Sequence, residues 1–269
     1  MEENNYLIDY YNQDFEDERL LSKQGSVEFL TTMRYIEKYL KPNDRILEIG
    51  AGTGRYSHAL ARKGYNVDAV ELIEHNIKRF KENMKNGEKV TITQGNALDL
   101  SAFADETYDI TLLLGPMYHL YTESDKQTAL SEAIRVTKHC GVIFVAYCIS
   151  DATIIREFFV RKRFDVFKYI KNGKIYPETF ATQSTPADII ELVRKEDIDK
   201  LITQFDVNRL HYIATDGMTH HLSGAIDEMD EALFEMYLMY HFATCERPDM
   251  VGQTHHSLDV LKKISNFTS

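Results

Sequence analysis

Several features that mark particular protein classes are scarce in this sequence. It has 3 cysteines among 269 residues, and no two of them have the CxxC spacing of a zinc ribbon. An odd and small number of cysteines also argues against a disulfide framework. The 5 prolines are too few for a proline-rich linker, and we find neither low-complexity segments nor repeats of solenoid length. The composition therefore indicates an ordinary globular protein.

Long hydrophobic runs are also missing. The longest apolar run is far shorter than a membrane span, and the polar, acidic N-terminus does not resemble a signal peptide. We therefore expect a cytoplasmic protein without a membrane partner.

Basic residues are fewer than acidic ones, so the formal net charge is −11. A field of that sign repels a phosphate backbone, so no nucleic-acid partner is expected. The strongest basic patch comprises Arg156, Arg161, Lys162 and Arg163. Its simpler interpretation is a solvated helix face.

Apolar strands and amphipathic helices alternate from residue 45 onward. The predicted strands span 45–49, 66–71, 89–94, 108–114 and 141–146, and the helices among them span 53–62, 73–84 and 126–137. This alternation predicts an α/β fold, a doubly wound and mostly parallel sheet with helices on both faces. Two later strands, 205–214 and 257–264, would complete seven strands of a Rossmann-like sheet.

A glycine-rich loop follows the first predicted strand, in the segment Glu48-Ile49-Gly50-Ala51-Gly52-Thr53-Gly54. Ligands bind at the carboxyl edge of such sheets, where this loop lies. The sixth position from Gly50 is Arg55, so the dinucleotide fingerprint G-x-G-x-x-G is broken. A phosphate-binding Gly-Lys-Ser/Thr sequence is also missing. The acid at Glu48 suits a cationic ligand, although an NAD(P)-dependent oxidoreductase stays an alternative.

The loop resembles the first motif, [D/E]-x-G-x-G-x-G, of class I S-adenosylmethionine-dependent methyltransferases. This resemblance implies S-adenosyl-L-methionine as cofactor and S-adenosyl-L-homocysteine as product. It implies that Glu71, 21 residues beyond Gly50, binds the ribose hydroxyls. Asn96 or Asp99 would meet the adenine amine, and we favour Asn96. The cofactor-binding residues implied are Glu48, Gly50, Ala51, Gly52, Gly54, Glu71, Leu72, Asn96, Ala97, Leu98 and Leu114.

The acceptor side is less defined. In the resembling fold, the loop after the fourth strand lies beside the transferable methyl group, which makes Tyr118 and His119 the catalytic candidates. His119 is the better base, because an imidazole titrates near neutrality. Packing within the turn is an equally simple role for it. The resemblance also suggests an N-terminal segment folded over the cofactor, with Tyr11 and Arg19 at the methionine end of the donor.

The resemblance divides the chain into four expected parts. They are a helical lid at 1–40, a cofactor-binding core at 41–149, an insertion or cap at 150–190, and the rest of the core at 191–269. The last part contains a helix at 227–244 that is apolar nearly all round, which predicts burial. This helix could pack in the core, meet a second subunit in a homodimer, or form a wall of the acceptor pocket.

Histidine pairs raise the question of a metal site. His220-His221 and His255-His256 are adjacent pairs, and His241 with Cys245 has i,i+4 spacing. Adjacent residues of a strand point to opposite faces, and further ligands at recognisable spacing are missing. No metal is therefore expected. Asp216, Gly217, His220 and His221 follow the sixth predicted strand and could line the acceptor pocket.

The sequence thus predicts an enzyme that transfers a methyl group in line to a small-molecule acceptor. A protein or RNA methyltransferase is the nearest alternative. A non-catalytic protein that binds S-adenosylmethionine is another. The acceptor and the atom methylated are not encoded in a motif that we recognise.

Overall fold

A mixed β-sheet forms the centre of the molecule in the computed structural model, which describes residues 2–11 and 22–264. The strands within these ranges are β1 (Arg45–Ile49), β2 (Asn66–Glu71), β3 (Val90–Gln94), β4 (Tyr108–Leu113), β5 (Thr137–Ile149), β6 (Leu192–Val193), β7 (Val207–Ala214) and β8 (His256–Lys263). Their order is β3-β2-β1-β4-β5-β8-β7, with the two-residue β6 beside β5. β8 runs antiparallel to both of its neighbours, and the other pairs are parallel. The predicted fold class is confirmed.

Helices lie on both faces of this sheet. They are α1 (Glu2–Tyr11), α2 (Lys23–Tyr39), α3 (Arg55–Arg62), α4 (Glu74–Asn83), α5 (Glu123–Val136), α6 (Ser150–Thr153), α7 (Val166–Lys171), α8 (Lys195–Ile202), α9 (Ser223–Asp227), α10 (Glu231–Thr244) and α11 (Pro248–Val251). A π-helix, Ile154–Val160, continues from α6, and 3-10 turns occupy Pro116–His119 and Pro186–Asp188.

Two hydrophobic layers sandwich the sheet, because successive strand side chains point to opposite faces. On one face, Leu47 of β1 packs in a cluster with Leu130 of α5 and Ile198 of α8. On the other face, Ile46 packs in a cluster with Ile36 of α2. Because β1 is parallel to both β2 and β4, the carboxyl ends of these three strands meet at one edge of the sheet.

The predicted lid at 1–40 divides into two helices with different surroundings. α2 begins at the N-cap Ser22, whose hydroxyl accepts a hydrogen bond from the Gly25 amide, and it buries Val27 and Ile36 completely. α2 is therefore a core helix. α1 lies beside the Pro186–Asp188 turn of the segment 150–190, so these two parts adjoin one another.

The helix predicted at 227–244 is broken in two, because Asp230 caps the start of α10 with a hydrogen bond from the Leu233 amide. The prediction that it is buried is wrong. Only Phe234 and His241 of α10 are buried. The exposed fractions of its outer residues are 53% at Leu233, 61% at Met236, 65% at Met239 and 56% at Tyr240. One face of α10 packs on α2, while its apolar composition continues around the opposite face.

Candidate active site

The glycine-rich loop connects β1 to α3 at the carboxyl edge of the sheet. Gly54, the N-cap of α3, has a φ of 92°. A Cβ there would lie 2.5 Å from His58 Nε2 and 2.6 Å from Phe80 Cδ2, so only glycine lets the loop pack this closely. Gly52 has a φ of 54°, but a Cβ there would meet nothing within 4 Å. Gly52 therefore borders open space of the kind that a ligand needs.

Glu48, near the end of β1, is buried beneath this loop. Its Oε2 accepts hydrogen bonds from the amide and the hydroxyl of Ser57 in the first turn of α3. Burial raises the pKa of Glu48 from 4.5 to about 8, while the two Ser57 bonds oppose that rise. The carboxyl group thus joins strand to helix, and it also lines a cavity. Its predicted contact with a cationic donor stays a prediction.

Glu71 ends β2 and connects two loops through its carboxylate. Its Oε2 accepts a hydrogen bond from the Gly52 amide at 2.8 Å, and its Oε1 accepts one from the Ile73 amide at 2.9 Å. The carboxylate therefore lies beside the glycine-rich loop, and its predicted contact with the ribose stays a prediction. Asn76 Nδ2 also donates to Oε1 at 3.3 Å. Because a carboxylate has about four acceptor positions, one stays open to a hydroxyl.

Asn96 follows β3 and lies at the same sheet edge. Its Oδ1 accepts a hydrogen bond from the Leu98 amide at 3.0 Å, which shapes the turn. Asp99, the alternative considered for the adenine amine, accepts a bond from the Ser101 amide and lines a separate depression. Asn96 and not Asp99 shares a cavity with Glu71.

Two cavities meet at the glycine-rich loop. The small cavity, about 180 Å³, is lined by residues that include Glu71, Leu72, Asn96, Ala97, Leu98 and His119. The large cavity, about 850 Å³, is lined by residues that include Glu28, Glu48, Ala51, Leu114, Tyr118 and Arg156. Tyr11, Gly50, Gly52 and Ile189 line both. A ligand in the small cavity could therefore present one end to the large cavity.

His119 lies in the wall of the small cavity and is held from two sides. Its Nδ1 is 2.8 Å from the carbonyl oxygen of Ile189, and its Nε2 is 2.9 Å from the hydroxyl of Tyr11. A carbonyl only accepts, so we assign the proton of the neutral ring to Nδ1. Nε2 then accepts from Tyr11, which orients a basic nitrogen toward the junction of the cavities.

Tyr118, the neighbour of His119, lines the large cavity instead. Burial raises the pKa of Tyr118 well above its usual value, so its hydroxyl keeps its proton and can donate a hydrogen bond. The two catalytic candidates of the 3-10 turn therefore face different cavities, and Tyr118 is the one that borders the larger space.

Of the two predicted lid residues, Tyr11 lies at the junction of the cavities, and Arg19 lies outside the described residues. The other histidines differ in position. His220 lines the large cavity, whereas His221 is directed to the Gln253 carbonyl, 3.2 Å away. His241 is 3.0 Å from the Thr31 hydroxyl and joins α10 to α2.

Sequence reasoning missed a cluster of Asp216, His220, His255 and His256, whose potential ligand atoms lie within 4.8 Å of one another. His255 precedes β8 and His256 begins it, so the rule for adjacent strand residues does not separate them. Their ring centroids are 4.6 Å apart. No local spacing signals the cluster, because β7 and β8 are brought together only by the sheet. Other missed cavity residues are Glu28 and Arg156, which come from α2 and the π-helix.

The sequence of this core matches a known family. Residues 46–141 match the family model described as a methyltransferase domain. These residues therefore form a methyltransferase domain, and its glycine-rich loop is similar to that of class I S-adenosylmethionine-dependent methyltransferases. The matched methyltransferase domain covers β1 to the start of β5, which includes the glycine-rich loop, Glu71 and Asn96.

Individual relatives are distant. YqeM of Bacillus subtilis, which carries a methyltransferase name, is 23% identical over 151 residues, or 56% of this chain and 53% of that protein. The glycine/sarcosine N-methyltransferase of Aphanothece halophytica is 26% identical over 103 residues, or 38% of this chain and 39% of that protein. The chain thus matches about half the length of these curated relatives, or less.

A solved SAM-dependent methyltransferase from Thermotoga maritima has a similar fold, with a TM-score of 0.57 and 17% identity over 95% of this chain and 98% of that one. At this identity the likeness concerns the fold.

Within residues 2–11 and 22–264, no helix combines the length and the apolar character that crossing a bilayer requires.

Proposed function

We propose that this methyltransferase transfers a methyl group from S-adenosylmethionine to a small-molecule acceptor held in the large cavity. The observation that carries the proposal is the meeting of the two cavities at Gly50, Gly52 and Tyr11. One cavity is lined by Glu71 and Asn96, which the resemblance assigns to the donor. The other offers a separate, larger space directly beyond it.

The donor fits the small cavity on the chemistry of its walls. Glu71 has an acceptor position open to a ribose hydroxyl, and Asn96 offers amide groups to an adenine edge. The open space at Gly52 leaves room for close approach of the donor to the backbone. When bound, S-adenosylmethionine supplies an activated methyl group on a sulfonium, so the chain need only align the acceptor and exclude water.

The acceptor fits the large cavity on size. A volume of about 850 Å³ is within the roughly 300–1,000 Å³ of small-ligand sites. Residues of α1, of the π-helix and of the segment 182–192 surround this cavity, which suits an enclosed molecule better than a polymer. The net charge of −11 also disfavours an RNA acceptor.

Three side chains have roles in this proposal. Tyr118 donates a hydrogen bond to the acceptor from the wall of the large cavity. Tyr11 lies at the junction, and His119 Nε2 behind it is placed to receive a proton passed through the Tyr11 hydroxyl. The Ile189 carbonyl holds the His119 ring in the tautomer that this requires.

The test is a product-release assay that detects S-adenosylhomocysteine across a metabolite library, with protein and RNA acceptors as separate arms. Turnover with a small molecule is expected. Turnover only with protein or RNA would contradict the acceptor class, and donor binding without turnover in any arm would indicate a non-catalytic binder.

The donor site is tested by calorimetry with a matched pair of variants. Glu71→Gln should weaken binding of S-adenosylhomocysteine at least tenfold, because a neutral amide is a weaker hydrogen-bond acceptor than the carboxylate that it replaces. Glu74→Gln, at an exposed position three residues later, should bind as the wild type does. Equal affinity of both variants would refute the assignment of Glu71.

A further inference from the structure

We infer that the large cavity contains a binding site for a divalent transition-metal ion, formed by Asp216, His220, His255 and His256. Asp216 and His220 follow β7, and the other two residues lie at the start of β8. Asp216, His220 and His256 are buried and His255 is half-buried. The three imidazoles line the cavity, so an ion bound there could also hold a ligand from the cavity side.

The distances between ligand atoms suit one ion. Two atoms bound to a tetrahedral zinc at about 2.0–2.1 Å lie about 3.4 Å apart. His255 Nδ1 and His256 Nε2 are 3.4 Å apart, and Asp216 Oδ2 and His220 Nε2 are 3.3 Å apart. All four residues offer ligand atoms within 4.8 Å of one another, so side-chain rotations suffice to close the remaining distances.

Hydrogen bonds to both oxygens hold the Asp216 carboxylate in place. His256 Nδ1 donates a hydrogen bond to Asp216 Oδ2 at 2.7 Å, and an ion bound to both residues would replace this contact. The other oxygen, Asp216 Oδ1, accepts bonds from the Thr254 hydroxyl and the His255 amide. These bonds connect Asp216 to the segment that carries His255 and His256.

The ligand set selects the class of ion. Imidazole nitrogens suit zinc, copper, iron and nickel, whereas magnesium and calcium prefer sites made of oxygen. Three histidines with one carboxylate form a site of mixed nitrogen and oxygen ligands. A second carboxylate, Glu28, lies with its Oε2 3.5 Å from His256 Nδ1 and adds negative charge beside the cation.

The position of the site gives the ion a use, and this step rests on the proposed function. The Tyr118 ring lies next to His256, with 6.0 Å between ring centroids, and Tyr118 belongs to the turn beside the cavity junction. An ion at the cluster would therefore orient a nitrogen or oxygen atom of the acceptor within the large cavity. A bound metal also favours the deprotonated form of such a ligand.

The test uses untagged full-length protein, freed of metal by a chelator and titrated with ZnCl2 by calorimetry and with CoCl2 by visible spectroscopy. One equivalent of either ion should bind, and cobalt should give a ligand-field spectrum that depends on the histidines. His255→Ala and the larger His255→Gln should each weaken binding by at least the about 10- to 100-fold typical of losing an orienting partner. The matched control His139→Ala, at a half-exposed histidine paired with Glu106, should leave the affinity unchanged.

Absence of metal binding by the wild type, or wild-type affinity in both His255 variants, would overturn the inference. Binding of S-adenosylhomocysteine is measured on every variant, because the small cavity does not include His255. Retained product binding with lost metal binding is the expected result. A wild type that binds the metal but not the product would contradict the proposed function and leave the metal result standing.

Discussion

The Glu48 carboxyl makes the stability of the protein depend on pH in an unusual direction. Burial raises its pKa from 4.5 to about 8, so the folded state binds the proton more tightly than the unfolded chain does. The stability that this provides is fully present below pH 4.5 and is lost as the pH rises through about 8.

Glu48→Gln keeps an acceptor for the Ser57 amide and has no proton to lose. Each pKa unit corresponds to about 1.4 kcal/mol, so the unfolding free energy of the variant should gain about 2 to 4 kcal/mol on the wild type between about pH 5 and 8. Urea unfolding at several pH values measures this, with Glu74→Gln as control. A constant difference across the range would contradict the buried, raised carboxyl.

Gly52 and Gly54 should respond differently to the same substitution. Gly54→Ala combines positive φ with a Cβ only 2.5 Å from His58 Nε2. We expect it to lower the unfolding free energy by about 2 to 5 kcal/mol. Gly52→Ala meets open space and should cost only the backbone term, about 1 to 2 kcal/mol.

The two variants should also differ in their affinity for S-adenosylhomocysteine. The methyl group of Gly52→Ala would enter the space assigned to the donor, so affinity for S-adenosylhomocysteine should fall at least tenfold. Denaturant unfolding and calorimetry on both variants check this. A Gly52→Ala variant that is stable and binds normally would argue against a donor at the loop.

Site residues were predictable where one short segment or one strand end holds them. Glu48 to Gly54 form a continuous motif, and Glu71 and Asn96 are placed by the rule that parallel strands end at one edge. The cluster of Asp216 with His220, His255 and His256 was not predictable, because its parts are distant in sequence and meet only when β7 pairs with β8.

The two faces of α10 should contribute differently to the free energy of unfolding. Phe234 packs with Val27 of α2 and Ile226 of α9. Phe234→Ala should therefore lower the unfolding free energy by about 3 to 5 kcal/mol. Met236→Ala, in the same helix and 61% exposed, should change it by less than about 0.5 kcal/mol. Thermal and urea unfolding of the two variants measure the contrast, which would vanish if both faces of α10 were buried.

The α1 helix tests whether an N-terminal element contributes to donor binding. Tyr11 contacts His119 and lines both cavities, whereas Tyr6 of the same helix is exposed. Tyr11→Ala should weaken donor binding about tenfold, by loss of one hydrogen bond and an aromatic wall. Tyr6→Ala is the control in calorimetry. If Tyr11→Ala binds the donor as tightly as Tyr6→Ala, α1 is not a lid.

Hydrophobic periodicity predicted most helices and strands, but the apolar composition of α10 did not predict its exposure. The core strands were predicted to within a few residues, because apolar runs of that length between helices fit buried parallel strands. β5 extends to both sides of the predicted 141–146. α10 was predicted to be buried because it is apolar nearly all round, but composition does not tell how many faces find a partner.

The molecule as a whole should be stabilised by the donor product. A ligand at about 100 times its Kd adds about 2.7 kcal/mol to the unfolding free energy when it binds only the folded state. For a chain of this size we expect a rise in Tm of about 5 to 10 °C with S-adenosylhomocysteine. NAD at the same concentration should give no rise. Differential scanning fluorimetry makes the comparison, and a larger shift with NAD would contradict the donor assignment.

The place of β8 between β5 and β7 has a consequence for the order in which the protein forms during synthesis. β1 to β5 can pair as they leave the ribosome, but β7 is made before the strand that connects it to the rest of the sheet. β7 must therefore wait, with its edge unpaired and exposed to other chains. The glycine-rich loop and Glu71 belong to the part that can assemble early, while the histidine cluster comes into existence only when β8 is inserted.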